Sequence, residues 1–156
     1  MTHNDILRGL RFGLSLSDQA AADLFSQDPA NAIEMSKAGF LARIAKPEDA
    51  HHKELSDPEF AAFLDGLIVS KRGLRDGAPT SRPSVTTLTK NEVLKKLRVA
   101  LTLRDDDLIK ILAAGGSQLS KSELSALFRK PDHKHYRTCG NQVMRAFLKG
   151  LATLKP

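Results

Sequence analysis

The sequence is poor in several residue types, and each shortage excludes some fold classes or cellular compartments. Its single cysteine, Cys139, excludes an internal disulfide and is typical of a protein from a reducing compartment. It contains no tryptophan and one tyrosine, so the aromatic platforms that stack single-stranded nucleic acid are scarce. No stretch approaches the roughly 18 apolar residues of a membrane span, and the N-terminus lacks the apolar run of a signal peptide. We therefore expect a soluble cytoplasmic protein.

Motifs of the common catalytic and cofactor-binding sites are also missing. The sequence has no glycine-rich phosphate loop, no CxxC pair and no HExxH. It has no recognised nucleic-acid-binding motif. Nothing alternates with period 2 for long, whereas apolar residues recur at helical spacing throughout. These features favour an all-α fold, and we expect no cofactor and no tightly bound metal.

What the chain does contain is the same pattern twice. Residues 2–18 match residues 89–105 at an offset of 87, with eight identities. Residues 36–67 match residues 120–151 at an offset of 84, with eleven identities. A match at a fixed period is the signature of repeated structural units. We predict an all-α fold of two homologous four-helix units in a tandem duplication.

Capping signals place four helices in each unit. Thr2 with Asp5, and Thr89 with Glu92, have capping-box spacing at the starts of the first helices. Asp57 is followed by proline, a pattern that predicts the N-cap of a fourth helix. The remaining helices are predicted to begin at Asp18, Ser36, Asp105, Ser120 and near Asn141.

The charge is divided unevenly along the chain. We predict a first helical unit over residues 1–76, a linker over residues 77–88 that is rich in turn-forming residues, and a second helical unit over residues 89–156. Their net charges are −3, +1 and +8. Such asymmetry indicates a polyanionic partner for the basic half, or attraction between the two halves of one fold.

Several segments of the second unit resemble the YehS-like family of small bacterial proteins. They are residues 91–98 (NEVLKKLR), 104–108 (RDDDL), 130–134 (KPDHK), 136–140 (YRTCG) and 147–151 (FLKGL). The resemblance covers nearly the whole chain and implies a duplicated, all-helical bacterial protein without an established activity. The first unit departs from the pattern, because Leu55 stands at the position of Cys139 and Asp49 at that of His133.

Basic residues of the second unit form the main binding candidate. They are Lys95, Lys96, Arg129, Lys130, Lys134, Arg137, Arg145 and Lys149. A patch of this kind neutralises phosphates without reading bases. We expect a non-enzymatic binding or adaptor protein that engages a macromolecular partner through its basic second half. The alternative is a sequence-independent nucleic-acid-binding protein, and the competing structural interpretation is a solvated face or one docked on the acidic first unit.

The loop after each Lys-Pro pair is the second candidate. The side chains concerned are Asp132, His133, His135 and Cys139 in the second unit, and His51 and His52 in the first. Imidazole, thiolate and carboxylate are the ligand types of zinc, and a Cys–His pair is a known catalytic arrangement. A metal- or thiol-dependent enzyme is thus a second alternative. The spacing matches no zinc motif, however, and the equivalence with Leu55 favours Cys139 as a core residue.

Two arginines are each followed, seven residues later, by an aspartate at matched positions of the repeats. These are Arg11 with Asp18, and Arg98 with Asp105. Both arginines lie beside an apolar helical stripe. We predict that each forms an ion pair that fixes the first helix of its unit against the second, because separating such a pair leaves a charge without a partner.

Overall fold

The computed structural model describes residues 1–83 and 85–155 of the chain. Over these residues it contains eight α-helices and no β-strand, and none of these helices is long and apolar enough to cross a membrane. In chain order they are α1 (His3–Gly13), α2 (Asp18–Leu24), α3 (Lys37–Ile44), α4 (Asp57–Arg72), α5 (Lys90–Leu101), α6 (Asp105–Ala114), α7 (Lys121–Leu127) and α8 (Asn141–Leu154). The predicted all-α fold with an internal duplication is confirmed.

Hydroxyl side chains begin most of these helices. Thr2, Ser36, Thr89 and Ser120 each accept a hydrogen bond from the backbone N–H three residues further on. Each cap of this kind contributes about 1 kcal/mol to helix stability. Four of the six helices with hydroxyl caps also have the reciprocal bond of a capping box. The local sequence therefore sets the helix starts of both units in the same way.

One predicted N-cap is wrong by one residue. Ser56, not Asp57, caps α4 with its hydroxyl, and at the start of α2 the hydroxyl of Ser17 likewise precedes Asp18. Because the hydroxyls occupy the cap positions, both carboxylates are available for longer-range contacts. Asp57 accepts a hydrogen bond from the backbone N–H of Leu88, at the end of the linker, at 3.1 Å.

An arginine–aspartate pair joins the first two helices of each unit. Arg11 Nε donates to Asp18 Oδ1 at 2.8 Å, and Arg98 Nη2 donates to Asp105 Oδ1 at 2.7 Å. Both predicted pairs are thus present in the structure. All four side chains are partly exposed, so each pair contributes about 1 kcal/mol or less. Their main effect is to fix the angle between helices.

The two units pack reciprocally. Helix α1 of the first unit contacts α8 of the second, while α5 of the second contacts α4 of the first. At one junction Lys155 Nζ donates to the carbonyl of Phe12 at 3.0 Å. At the other, Arg72 Nη1 donates to the carbonyl of Val99 at 3.5 Å. Buried side chains from both units form one hydrophobic cluster, so the units share a core.

A buried asparagine lies at the same position of the first helix in each unit. Asn4 Nδ2 donates to the carbonyls of Arg43 and Lys53 at 2.8 Å each, and Asn4 Oδ1 accepts from the N–H of Leu55 at 3.0 Å. This side chain ties α1 to the end of α3 and to the loop before α4. Asn91 holds the matching position in α5 and makes the matching bonds, described below.

Two matched glycines allow the fourth helix of each unit to touch the second. A Cβ atom on Gly66 would lie 1.6 Å from the carbonyl oxygen of Leu24, and one on Gly150 would lie 1.9 Å from that of Ile111. No side chain fits at such distances. These glycines are retained inside helices despite a cost of about 1 kcal/mol relative to alanine, because backbone meets backbone there.

A buried carboxylate of the first unit, Asp65, pairs with both the linker and the second unit. Arg82 Nη1 lies 3.1 Å from Asp28 Oδ2 and 3.2 Å from Asp65 Oδ2. The other oxygen of Asp65 pairs with Lys96 Nζ of α5 at 2.6 Å. Asp65 is buried, so its charge requires these partners. The ion pairs therefore help to hold linker, first unit and second unit together.

Candidate basic pocket

The structure separates the eight predicted basic residues into different environments. Lys96 does not belong to an exposed patch, because its ammonium group pairs with the buried carboxylate of Asp65 across the junction between the units. The side chain of Lys96 points from the face of α5 that packs against α4. The side chains of Lys95, Lys130, Lys134, Arg137, Arg145 and Lys149 are exposed, and that of Arg129 is half-buried.

Three of these cations surround a pocket of about 330 Å³ in the second unit. We call it the basic pocket. The charged residues that line it are Lys95, Arg129 and Lys130 together with one carboxylate residue, Glu92, and the lining also includes Phe128, Pro131 and Tyr136. The lining thus combines charged residues with two aromatic residues and a proline, and the guanidinium of Arg98 lies over the ring of Phe128, 4.8 Å from its centroid. Such a combination suits a ligand with a flat or apolar body and a negative charge.

Asn91 holds the walls of the basic pocket together. Its Nδ2 donates to the carbonyls of Leu127 and Arg137 at 2.9 Å each, and its Oδ1 accepts from the N–H of Cys139 at 2.8 Å. The three bonds tie α5 to the end of α7 and to the loop before α8. Because Asn91 is buried, these bonds are protected from water and position Lys95, one turn further along α5, beside the loop.

Arg129 and Arg137 line a second, adjoining pocket with His135. Arg129 Nη1 lies 3.4 Å from the ring nitrogens of His133. Arg137 Nη1 lies 3.4 Å from Glu123 Oε2. Hydrogen bonds from Ser120, together with the charge of Arg137, keep the pKa of Glu123 below its ordinary value. Arg129 therefore stands between two openings, while Arg137 is partly neutralised within its own unit.

Arg145 and Lys149 lie on the exposed side of α8. Neither residue lines the basic pocket or the adjoining one. The structure thus brings together Lys95, Arg129 and Lys130 and leaves the two α8 cations apart from them. The sequence predicts all eight residues as one patch, because charge alone carries no information about which of them share a helix face.

Tyr136, Phe128 and Pro131 were not among the binding residues expected from the sequence. Their sequence pattern did not indicate a binding site, because aromatic residues beside a Lys-Pro turn are often part of a hydrophobic core. Tyr136 is the one tyrosine of the chain, and it is only half-buried. A lone, partly exposed tyrosine between charged residues was the cue that could have identified this wall.

The histidine and cysteine loops do not converge on a chemical centre. Within residues 1–83 and 85–155, no three His, Cys, Asp or Glu side chains are placed to hold a metal ion. The ring of His52 hydrogen-bonds the carbonyl of Ala45 at 2.9 Å, and His133 Nδ1 accepts from the N–H of His135 at 3.0 Å. His51 and Asp132 are exposed.

Cys139 is a core residue. Its side chain is buried beside the backbone that Asn91 holds. Burial raises the pKa of its thiol to about 11, against a smaller opposite effect of Lys90 and Arg137. The thiol is therefore protonated near neutral pH, whereas a nucleophilic cysteine needs its thiolate. The matching position in the first unit holds Leu55, which is also buried.

Comparison with known proteins gives a family and no established activity. The chain is 36% identical over 152 residues to the uncharacterized protein YehS of Escherichia coli (strain K12), an alignment covering 97% of this chain and 95% of that protein. No solved structure matches the chain significantly. The profile of a family described as a protein of unknown function (DUF1456) matches twice, over residues 3–73 and 90–155. The two matches coincide with the two helical units, and the chain belongs to this family.

Proposed function

We propose that this protein is a non-enzymatic binding protein that engages an anionic macromolecule through the basic pocket and the cations around it. The observation that carries the proposal is the lack of internal neutralisation. Of the eight basic residues considered above, only Lys96 pairs with a carboxylate of the first unit within the described part of the chain. The second unit carries a net charge of +8, and six of the eight residues are exposed: Lys95, Lys130, Lys134, Arg137, Arg145 and Lys149.

The positions of these cations allow them to act in two ways on an anionic partner. Exposed cations attract an oppositely charged partner over a distance of about 8 Å at physiological salt. Arg145 and Lys149 contribute only this long-range attraction. Lys95, Arg129 and Lys130 add short-range contacts, because they surround a cavity in which a group of the partner can be held.

Nucleic acid is the second candidate partner, next to an acidic protein. One observation favours it: Tyr136 and Phe128 are among the residues that line the basic pocket, and aromatic rings stack on unpaired bases. A thiol-dependent enzyme is disfavoured because Cys139 is buried and protonated.

Retention on heparin, a polyanion, tests the proposal. The variant Arg129→Glu/Lys130→Glu should elute at clearly lower salt than the wild type. The matched control Lys37→Glu/Lys46→Glu changes the net charge equally but alters two exposed residues of the first unit, and it should elute close to the wild type. Equal shifts for both variants would show that net charge alone governs retention, and the proposed surface would then be rejected.

A capture experiment identifies the class of partner. Tagged wild-type protein and the Arg129→Glu/Lys130→Glu variant are compared in bacterial lysate, with and without nuclease. Material retained only by the wild type and removed by nuclease is nucleic acid. Material that resists nuclease is an acidic protein. Identical retention by both proteins would contradict the proposal.

A further inference from the structure

The first unit supplies an internal comparison for the basic pocket. Arg8 occupies the position that matches Lys95, at the offset of 87 that relates the first helices. Its Nε donates to the carbonyl of Ile44 at 2.8 Å, and its Nη2 donates to the carbonyl of Ala45 at 3.1 Å. Two neighbouring N–H groups of the planar Arg8 side chain therefore bind both carbonyls and fill the space between α1 and the end of α3 in the first unit.

The matching space between α5 and the end of α7 is open in the second unit. At the offset of 84, Phe128 and Arg129 match Ile44 and Ala45. Across residues 1–83 and 85–155 no hydrogen-bond donor reaches the carbonyl oxygen of either residue. Lys95 is exposed, and its single ammonium group lacks the paired planar donors of an arginine. Two successive carbonyls are thus left without partners in the described part of the chain, and the residues that carry them line the basic pocket.

A ligand of the basic pocket needs two features at once. It needs a planar edge with two adjacent N–H donors for the carbonyls, and it needs negative charge for Lys95, Arg129 and Lys130. An arginine side chain has the first feature, but its positive charge is disfavoured because the pocket lining has three cations and one carboxylate, Glu92. A guanine nucleotide has both, because guanine carries N1–H beside the N2 amine and its phosphates are anionic. Adenine, cytosine and uracil present one donor group next to ring or carbonyl acceptors on that edge.

We infer that the basic pocket receives an unpaired guanosine of a single-stranded nucleic acid. The inference rests on the proposed function, since it specifies the anionic macromolecule. The base enters beside Tyr136 and Phe128, while the flanking phosphates reach Lys95, Arg129 and Lys130. The strand must be single because base pairing occupies the same edge of guanine. The volume of about 330 Å³ is near the lower limit of known ligand pockets, about 300 Å³, and accommodates one base.

Oligonucleotides of equal length and charge test this inference. Short oligouridines with one central guanosine, inosine or adenosine are compared by fluorescence anisotropy at fixed salt. Guanosine should bind at least about tenfold more tightly than adenosine, as expected for one well-made polar pair. Inosine keeps N1–H and lacks the N2 amine, so its affinity should lie between the two. Pairing the guanosine strand with its complement should remove the preference.

The variant Lys95→Arg tests the pocket itself without changing its charge. By analogy with Arg8, the longer planar side chain should donate to the carbonyls of Phe128 and Arg129 and close the pocket. The preference for guanosine over adenosine should then fall towards one. The control Lys110→Arg replaces an exposed lysine of α6 and should leave the preference at its wild-type value.

The possible failures are distinguishable. Equal binding of the guanosine, inosine and adenosine strands, or a Lys95→Arg variant that keeps the preference, would overturn the guanosine inference. If that binding still weakens in Arg129→Glu/Lys130→Glu, the proposed function stands without it. No binding to any oligonucleotide would also overturn the inference, and the heparin and capture experiments would then decide the proposed function alone.

Discussion

Replacing Asn91 with alanine is expected to lower the free energy of unfolding by about 3 kcal/mol. The side chain is 7% exposed, and it bonds the carbonyls of Leu127 and Arg137 and the N–H of Cys139. Truncation leaves these three backbone groups without a protein partner, and each lost hydrogen bond costs roughly 1 kcal/mol. For a chain of this length the melting temperature should fall by roughly 6–12 °C.

Urea unfolding followed by circular dichroism measures the loss, and the first unit provides the matched control. The variant Asn4→Ala removes the equivalent three hydrogen bonds and should destabilise the protein by a similar amount. The two variants should differ in function. Asn91 holds the walls of the basic pocket, so only Asn91→Ala should reduce retention on heparin at temperatures where both variants are folded.

Two results would refute this reasoning. A loss below about 1 kcal/mol for Asn91→Ala would show that the backbone groups find other partners at little cost. An equal reduction of heparin retention in both variants would break the link between Asn91 and the basic pocket, since Asn4 lies in the other unit.

Three further predictions concern other parts of the fold. The variant Gly150→Ala should lose about 3 kcal/mol or more in urea unfolding, because its Cβ would meet the carbonyl of Ile111 at 1.9 Å; an exposed glycine such as Gly140 is the control. Cys139 should react with a thiol reagent at neutral pH only after denaturation, since burial raises its pKa to about 11; rapid reaction of the folded protein would contradict its place in the core. Burial raises the pKa of Glu59, but hydrogen bonds and charge from Arg43, with a hydrogen bond from Ser56, lower it overall, so stability present above pH 4.5 is lost as pH falls below it. Glu59→Gln should flatten that part of the profile, and an unchanged acid slope would show that the ion pair is not responsible.

Features set by neighbouring residues could be predicted from the sequence. The Arg98–Asp105 pair is separated by only seven residues, and the helix starts depend on hydroxyls within the first turn. Even here, competition between adjacent groups misled the prediction at α4, where Ser56 caps the helix in place of Asp57. An internal repeat strengthens such predictions, because the same local sequence pattern must form the same structure in both units.

Features set by packing between the units could not be predicted in this way. Lys95 and Lys96 are neighbours of identical type, yet one borders the basic pocket and the other pairs with Asp65. That difference follows from which side of α5 faces α4, and no local pattern encodes it. The match of Asn4 with Asn91 was visible in the sequence, but their partners are backbone carbonyls more than 30 residues away.

The reciprocal packing of α1 on α8 and of α5 on α4 has a consequence for how the protein diverges. A single unit expressed alone lacks the helices that cover its own core, so it would have to dimerise with a second copy. In such a homodimer every substitution appears twice, and both pockets must remain alike. Joining the units in one chain removes that constraint. One copy of the site is closed by Arg8 as a structural element, while the other keeps Lys95 at an open cavity, so a substitution at one of the two matched positions no longer changes the other.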